Sequence, residues 1–134
     1  MFGSKKRKEK KQEKRENKAL EQLEKDRSKL EPKVIKKLSK KLDKDESILG
    51  LIAYNTNLCY IAKTNKNRFF VGGVQGFKTT ETILTRDSIH NVSKTGLLPA
   101  YINLELINGT IRLFGEGDIA KVDKLYMDTV NLIG

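Results

Sequence analysis

The spacing of apolar positions changes period near Glu46. Beyond it, apolar and polar residues alternate in short runs, interrupted by turn formers about every ten positions, which is the pattern of half-buried antiparallel strands. Seven strands are predicted, over 47–54, 58–64, 67–74, 77–84, 88–94, 100–107 and 110–114. The sixth is the plainest, because Ile102, Leu104 and Leu106 alternate with Tyr101, Asn103 and Glu105. Asn108-Gly109 follows, and its preference for positive φ predicts a two-residue turn that sends strand seven straight back. Gly72, Gly73 and Gly76, between two apolar runs, read as a turn or bulge. After Gly117 the period becomes helical. Asp118 is the expected N-cap, and Ile119, Val122, Leu125, Tyr126, Thr129 and Val130 form one face of a closing helix.

Ahead of Glu46 apolar residues are sparse. Residues 5–18 contain none, and the Lys, Arg, Glu and Gln there leave helix and disorder both open. Leu20, Leu23 and Leu30 fall at a/d-like spacing, but Arg27 takes the intervening position and Pro32 ends the pattern within two heptads. Glu21–Lys25, Glu24–Arg27 and Asp26–Lys29 are the ion pairs expected on a helix face. Pro32 fits the first turn of a second helix, with Val34, Ile35, Leu38 and Leu42 on the side that docks onto the body.

Charge sharpens this division. Residues 1–41 hold 17 Lys/Arg against 7 Asp/Glu and residues 42–134 hold 10 of each, so the whole +10 belongs to the first stretch. Two units are expected: a basic arm over 1–41, helical or partly disordered, and a folded domain over 42–134. Lys5, Lys6, Arg7, Lys8, Lys10, Lys11, Lys14, Arg15 and Lys18 are its candidate anion-binding residues. Each gains about 1 kcal/mol near an anionic bilayer, and the same attraction acts on nucleic-acid phosphates. Without an apolar face on 5–18, membrane contact would be electrostatic and salt-sensitive. Without an aromatic residue between Lys5 and Arg27, nucleic-acid contact by the arm would be limited to the backbone. The competing readings are a solvated tail, and arms paired through Leu20, Leu23 and Leu30 in a homo-oligomer. No run approaches the ~18 apolar residues of a membrane span, and the N-terminus lacks the apolar stretch of a signal peptide. A cytoplasmic location is therefore expected, peripheral at the inner membrane face where the arm meets lipid. Cys59 is the single cysteine, so an internal disulfide is excluded.

Several segments have counterparts in a known family. Asp45-Glu46-Ser47-Ile48-Leu49, after a short helix over 33–42, is similar to that family's opening before its first strand. Residues Tyr60 to Val71 are similar to its second hairpin, with Asn67 inserted before Arg68, and Thr85 to Val92 resemble the Ile-x-x-Val strand that follows. On these residues the chain, over roughly 33–132, resembles the bacterial pleckstrin-homology-like family. The resemblance implies a mainly β fold, a seven-stranded antiparallel half-barrel capped by a C-terminal helix. It also implies a non-enzymatic binding or assembly module whose partner is a membrane surface or another protein, some relatives forming ring-like oligomers.

Other groupings add little chemistry. Lys63, Lys66 and Arg68 have the spacing of phosphoinositide-binding clusters, but they lie at the second hairpin, where turn chemistry accounts for them. The run from Gly72 to Thr79 is not a phosphate loop, because Phe77 separates the last glycine from Lys78 and a strand pattern follows. His90 is the only histidine and reads as a surface strand residue, while Cys59 reads as a small packed side chain. Asp43, Asp45 and Glu46 read as caps ahead of a strand. No nucleophile with a base, acid pair or metal-ligand cluster emerges, so neither an enzyme nor a cofactor is expected.

Overall fold

A computed structural model describes the backbone of residues 2–116 and 118–134, and the side chains of 10–115 and 118–134. Helix α1 (Phe2–Ser39) leads into β1 (Ile48–Ala53), β2 (Tyr60–Thr64), β3 (Arg68–Gln75) and β4 (Lys78–Thr85), one antiparallel meander. A 3-10 turn (Arg86–Ser88) starts a second meander of β5 (Ile89–Thr95), β6 (Ala100–Leu106) and β7 (Gly109–Glu116). The two join where Val74 of β3 pairs with Arg112 of β7, giving the order β1-β2-β3-β7-β6-β5 with β4 on the other side of β3. The curled sheet leaves β1 and β5 facing each other across a gap, and helix α2 (Ile119–Ile133) fills it. Its Leu132 lies against Gly50 of β1, while its Tyr126 and Asp123 reach Val92 and Lys94 of β5. This half-barrel with its capping helix fits the pleckstrin-homology-like fold expected from the sequence.

Side-chain alternation explains the two apolar clusters. Ile52, Ile61, Phe69 and Val71 point inward with Ile102, Leu104, Ile111 and Leu113 to make the barrel interior. Their neighbours Ala53, Tyr60, Ala62 and Phe70 point outward, yet they too are buried, because α1 covers that face with Val34 and Leu38. Asp118 caps α2 as expected, its side chain accepting from the Ala120 N–H at 3.1 Å. The buried face of α2 is Val122, Leu125, Thr129 and Ile133, which leaves the expected Ile119 and Val130 exposed. Inside the closure, Tyr54 Oη and Thr129 Oγ1 are 2.7 Å apart, and Thr129 donates to the Leu125 carbonyl.

Two glycine readings are corrected. Gly72 and Gly73 lie within β3, not in a turn. A Cβ on Gly72 would meet the Leu58 carbonyl oxygen at 2.5 Å, within the first meander, and one on Gly73 would meet that of Arg112 at 2.7 Å, so Gly72 permits close approach of the chain before β2 and Gly73 that of β7 where the meanders join. The turn itself is Gly76-Phe77, with Gly76 at φ +65. The last hairpin folds straight back, but Leu106 pairs with Gly109, so its two-residue loop is Ile107-Asn108. Gly109 sits in β7 beside Gln75 of β3, where it again supplies space and not a positive φ.

The largest departure is in α1, which runs unbroken through Pro32. Proline removes one N–H bond, but packing on both sides of it holds the helix together. Ala19 and Leu23 are buried before it and Val34 and Leu38 after it, with Leu20 joining the barrel interior and Leu30 the outer cluster. The leucines considered for pairing between chains therefore pack within their own chain. Ile35, expected on the docking side, is exposed. The anticipated ion pairs are replaced: Asp26 accepts from Gln22, and Arg27 turns to Glu31 and, at 2.9 Å, to Asp128 of α2.

Candidate anion-binding surface

Helix propensity without apolar content gives the first turns of α1 their form, and those turns carry most of the arm's charge. The side chains of Lys10, Lys11, Lys14, Arg15 and Lys18 are exposed, and none has a carboxylate at ion-pair distance among the described residues. Lys5, Lys6, Arg7 and Lys8 lie on the helical backbone, but their side chains fall outside the described ones. Where α1 meets the sheet, some of its cations are paired. Lys37 and Lys41 both meet Glu81 of β4, and these two cations hold the Glu81 carboxyl below its ordinary range.

Two members of the basic hairpin cluster, Lys66 and Arg68, are also neutralised within the fold. Arg68 grips Glu46 through Nε, at 2.8 Å, and Nη2. Thr64 Oγ1 and the Asp43 N–H donate to the same carboxylate at 2.6 and 3.1 Å. Despite burial, which acts the other way, the Arg68 bond with these added donors pulls the Glu46 carboxyl down to about 2. Lys66 pairs with Asp45 at 2.6 Å and Asp43 at 3.5 Å. Lys63 instead lies over the Phe69 ring, 5.9 Å from its centroid. The loop fits this network: Asn67 takes φ +57, and the Asn65 side chain bonds the backbone of Asp45 and Ser47. Asp43, Asp45 and Glu46 thus do more than cap. Pairing of Ile48 with Thr64, beyond a register shift in β1, sets residues before β1 beside those after β2.

The remaining candidates are dispersed. His90 is exposed at a bulge in β5, and Cys59 is buried, which raises its thiol pKa. Among the described residues no group of three or more His, Cys, Asp or Glu is placed to hold a metal ion. Along β5 two backbone carbonyls are engaged, Ile89 by Arg86 at 3.0 Å and Val92 by Tyr126 at 3.4 Å. Strand β4 pairs only with β3 and leaves its other edge open. No described helix is long and apolar enough to cross a membrane. Comparison with known proteins found no matching family model, no matching curated protein and no matching solved structure.

Proposed function

We propose that this chain is a non-enzymatic binding or scaffolding module of pleckstrin-homology-like type, tethered electrostatically to the inner leaflet of a membrane through the start of α1. One observation carries the reading: Lys10, Lys11, Lys14, Arg15 and Lys18 are exposed with no carboxylate partner among the described residues, whereas Lys66 and Arg68 are neutralised within the fold. Cations without local partners keep their full attraction for an external polyanion. The open edge of β4 supplies the complementary site for a protein partner. Cosedimentation with phosphatidylcholine vesicles, with and without phosphatidylserine, tests the tether at about 0.15 M ionic strength. The full chain should pellet only with the anionic vesicles, and glutamine at these five positions should release it. Failure of the unaltered chain to pellet, together with retardation of duplex DNA, would transfer the arm to sequence-blind nucleic-acid binding.

A further inference from the structure

The continuous helix places charges that the sequence leaves scattered. At about 100° per residue, Lys11, Lys14, Arg15 and Lys18 fall within an arc of about 100°. Lys25, Lys29, Lys33 and Lys36 fall within that same arc, although they belong to the part of α1 packed on the body. All eight are exposed, and none has an ion-pair partner among the described residues. Within this stretch only Gln22 and Pro32 interrupt the arc, and every acidic position of α1 lies outside it. The buried residues Ala19, Leu23, Val34 and Leu38 occupy a separate arc centred roughly 140° away. One side of the helix therefore packs on the barrel while the other is a cationic ridge. From Lys11 to Lys36 it extends about 38 Å at 1.5 Å per residue.

We infer that the anion-binding surface is this whole ridge and that the domain docks side-on against anionic phospholipid headgroups, with Lys25, Lys29, Lys33 and Lys36 contacting lipid as the arm does. The inference rests on the tether proposed above and extends it from the arm to the body. A plane of headgroups can touch a ridge of this shape along its full length, whereas a duplex turning once in about 34 Å presents alternating strands and grooves. The residues beside the ridge, with Glu21 and Asp26 bordering it about 20° beyond its two edges, set the depth of contact. They are polar or charged over most of its length, so the helix rests on headgroups without inserting. An end-on tether through residues 10–18 would instead leave the four body lysines in solvent, with no part in binding.

The test uses full-length chains, each checked for native unfolding behaviour. One variant carries K25Q/K29Q/K33Q/K36Q, and a second carries Q at Lys11, Lys14, Arg15 and Lys18. Each lysine reaching the headgroups contributes about fivefold to partitioning onto phosphatidylserine-containing vesicles. Even if half of the four make contact, the body variant should bind about 25-fold more weakly than the unaltered chain, with a shallower salt dependence. Binding equal to the unaltered chain, while the arm variant is released, would overturn side-on docking and leave the tether standing. Loss of duplex DNA retardation by the body variant, with vesicle binding unchanged, would overturn it too and assign the ridge to nucleic acid. An unaltered chain that ignores anionic vesicles would overturn the underlying tether itself.

Discussion

Replacing Glu46 with glutamine should remove a pH-dependent part of the stability. The Glu46 side chain is fully enclosed, and its carboxylate takes bonds from Arg68, Thr64 and the Asp43 N–H. Lowering its pKa from 4.5 to about 2 corresponds to about 3 kcal/mol between its charge states. Arg68 remains 28% exposed, so water screens part of this and about 3 kcal/mol is a ceiling. The sign follows from linkage. A carboxylate depressed in the folded state stabilises fully above its ordinary value near 4.5, and that contribution is lost as pH falls toward about 2.

Urea unfolding of both chains at several pH values reads this out. At neutral pH, Glu46→Gln should cost about 2 kcal/mol, moving the midpoint by roughly 1–2 M for a slope of about 1–2 kcal/mol per M. The two curves should converge as the medium is acidified, since the native glutamate then protonates and loses the same attraction. The other carboxylates titrate in both chains, so the difference isolates Glu46. A loss that is constant with pH, or below about 0.5 kcal/mol at neutrality, would refute the claim that Arg68 and Glu46 act as a charged, enclosed pair.

Three further outcomes are expected. Gly73→Ala should cost more than about 2 kcal/mol, because the new methyl meets the Arg112 backbone, whereas Gly76→Ala, which meets only its own φ of +65, should cost about 1; thermal unfolding distinguishes them. Thr129→Val should destabilise by about 2–3 kcal/mol and Tyr54→Phe by about 1, since the first strands a buried phenol while the second leaves Thr129 bonded to Leu125; equal losses would count against this bond assignment. Glutamine at Lys25, Lys29, Lys33 and Lys36 should raise the melting temperature by about 3–5 °C at low salt, by relieving like-charge pairs worth about 0.2–0.5 kcal/mol each, and calorimetry at high salt should show the gain shrinking.

Periodicity proved informative where a residue's role is set by its own strand. Ile102, Leu104 and Leu106 alternate inward because the pleat requires it, and β6 starts at the expected Ala100. It misled where a distant segment decides. Pro32 reads locally as a boundary, but Leu23 on one side and Leu38 on the other are each worth about 1.5–3 kcal/mol when buried, together enough to offset the roughly 3 kcal/mol that the lost bond and ring clash of an interior proline cost. Gly72 and Gly73 look like a turn until Leu58 and β2 are placed against the first and β7 against the second. For the candidate site, the arm's basic residues were visible as composition, but their common face with Lys25 to Lys36 depends on the helix being continuous, which Pro32 obscured. The pairing of Lys66 and Arg68 is the reverse case: Asp43, Asp45 and Glu46 stand well before them in the chain, and the β1–β2 register brings the two groups together.

The segregation of charge on α1 bears on whether its lysines act only as a solubilising surface. Solubility needs charge but no order, and on a solvated helix the favourable order interleaves acids and bases at i and i+4, where each pair gains about 0.2–0.5 kcal/mol. The sequence offers Glu21–Lys25 at that spacing, yet the structure pairs Arg27 with Asp128 and leaves Lys25 without an ion-pair partner among the described residues. Like charges then stand three and four residues apart along Lys25, Lys29, Lys33 and Lys36, an arrangement that weakens an isolated helix. It persists here because the opposite side of α1 is anchored in two apolar clusters, so packing supplies the stability that charge pairing would otherwise provide. A helix built this way has its ridge pre-organised: the entropy of aligning the cations is lost on folding and not again on meeting a surface, so an anionic plane gains from all of them together.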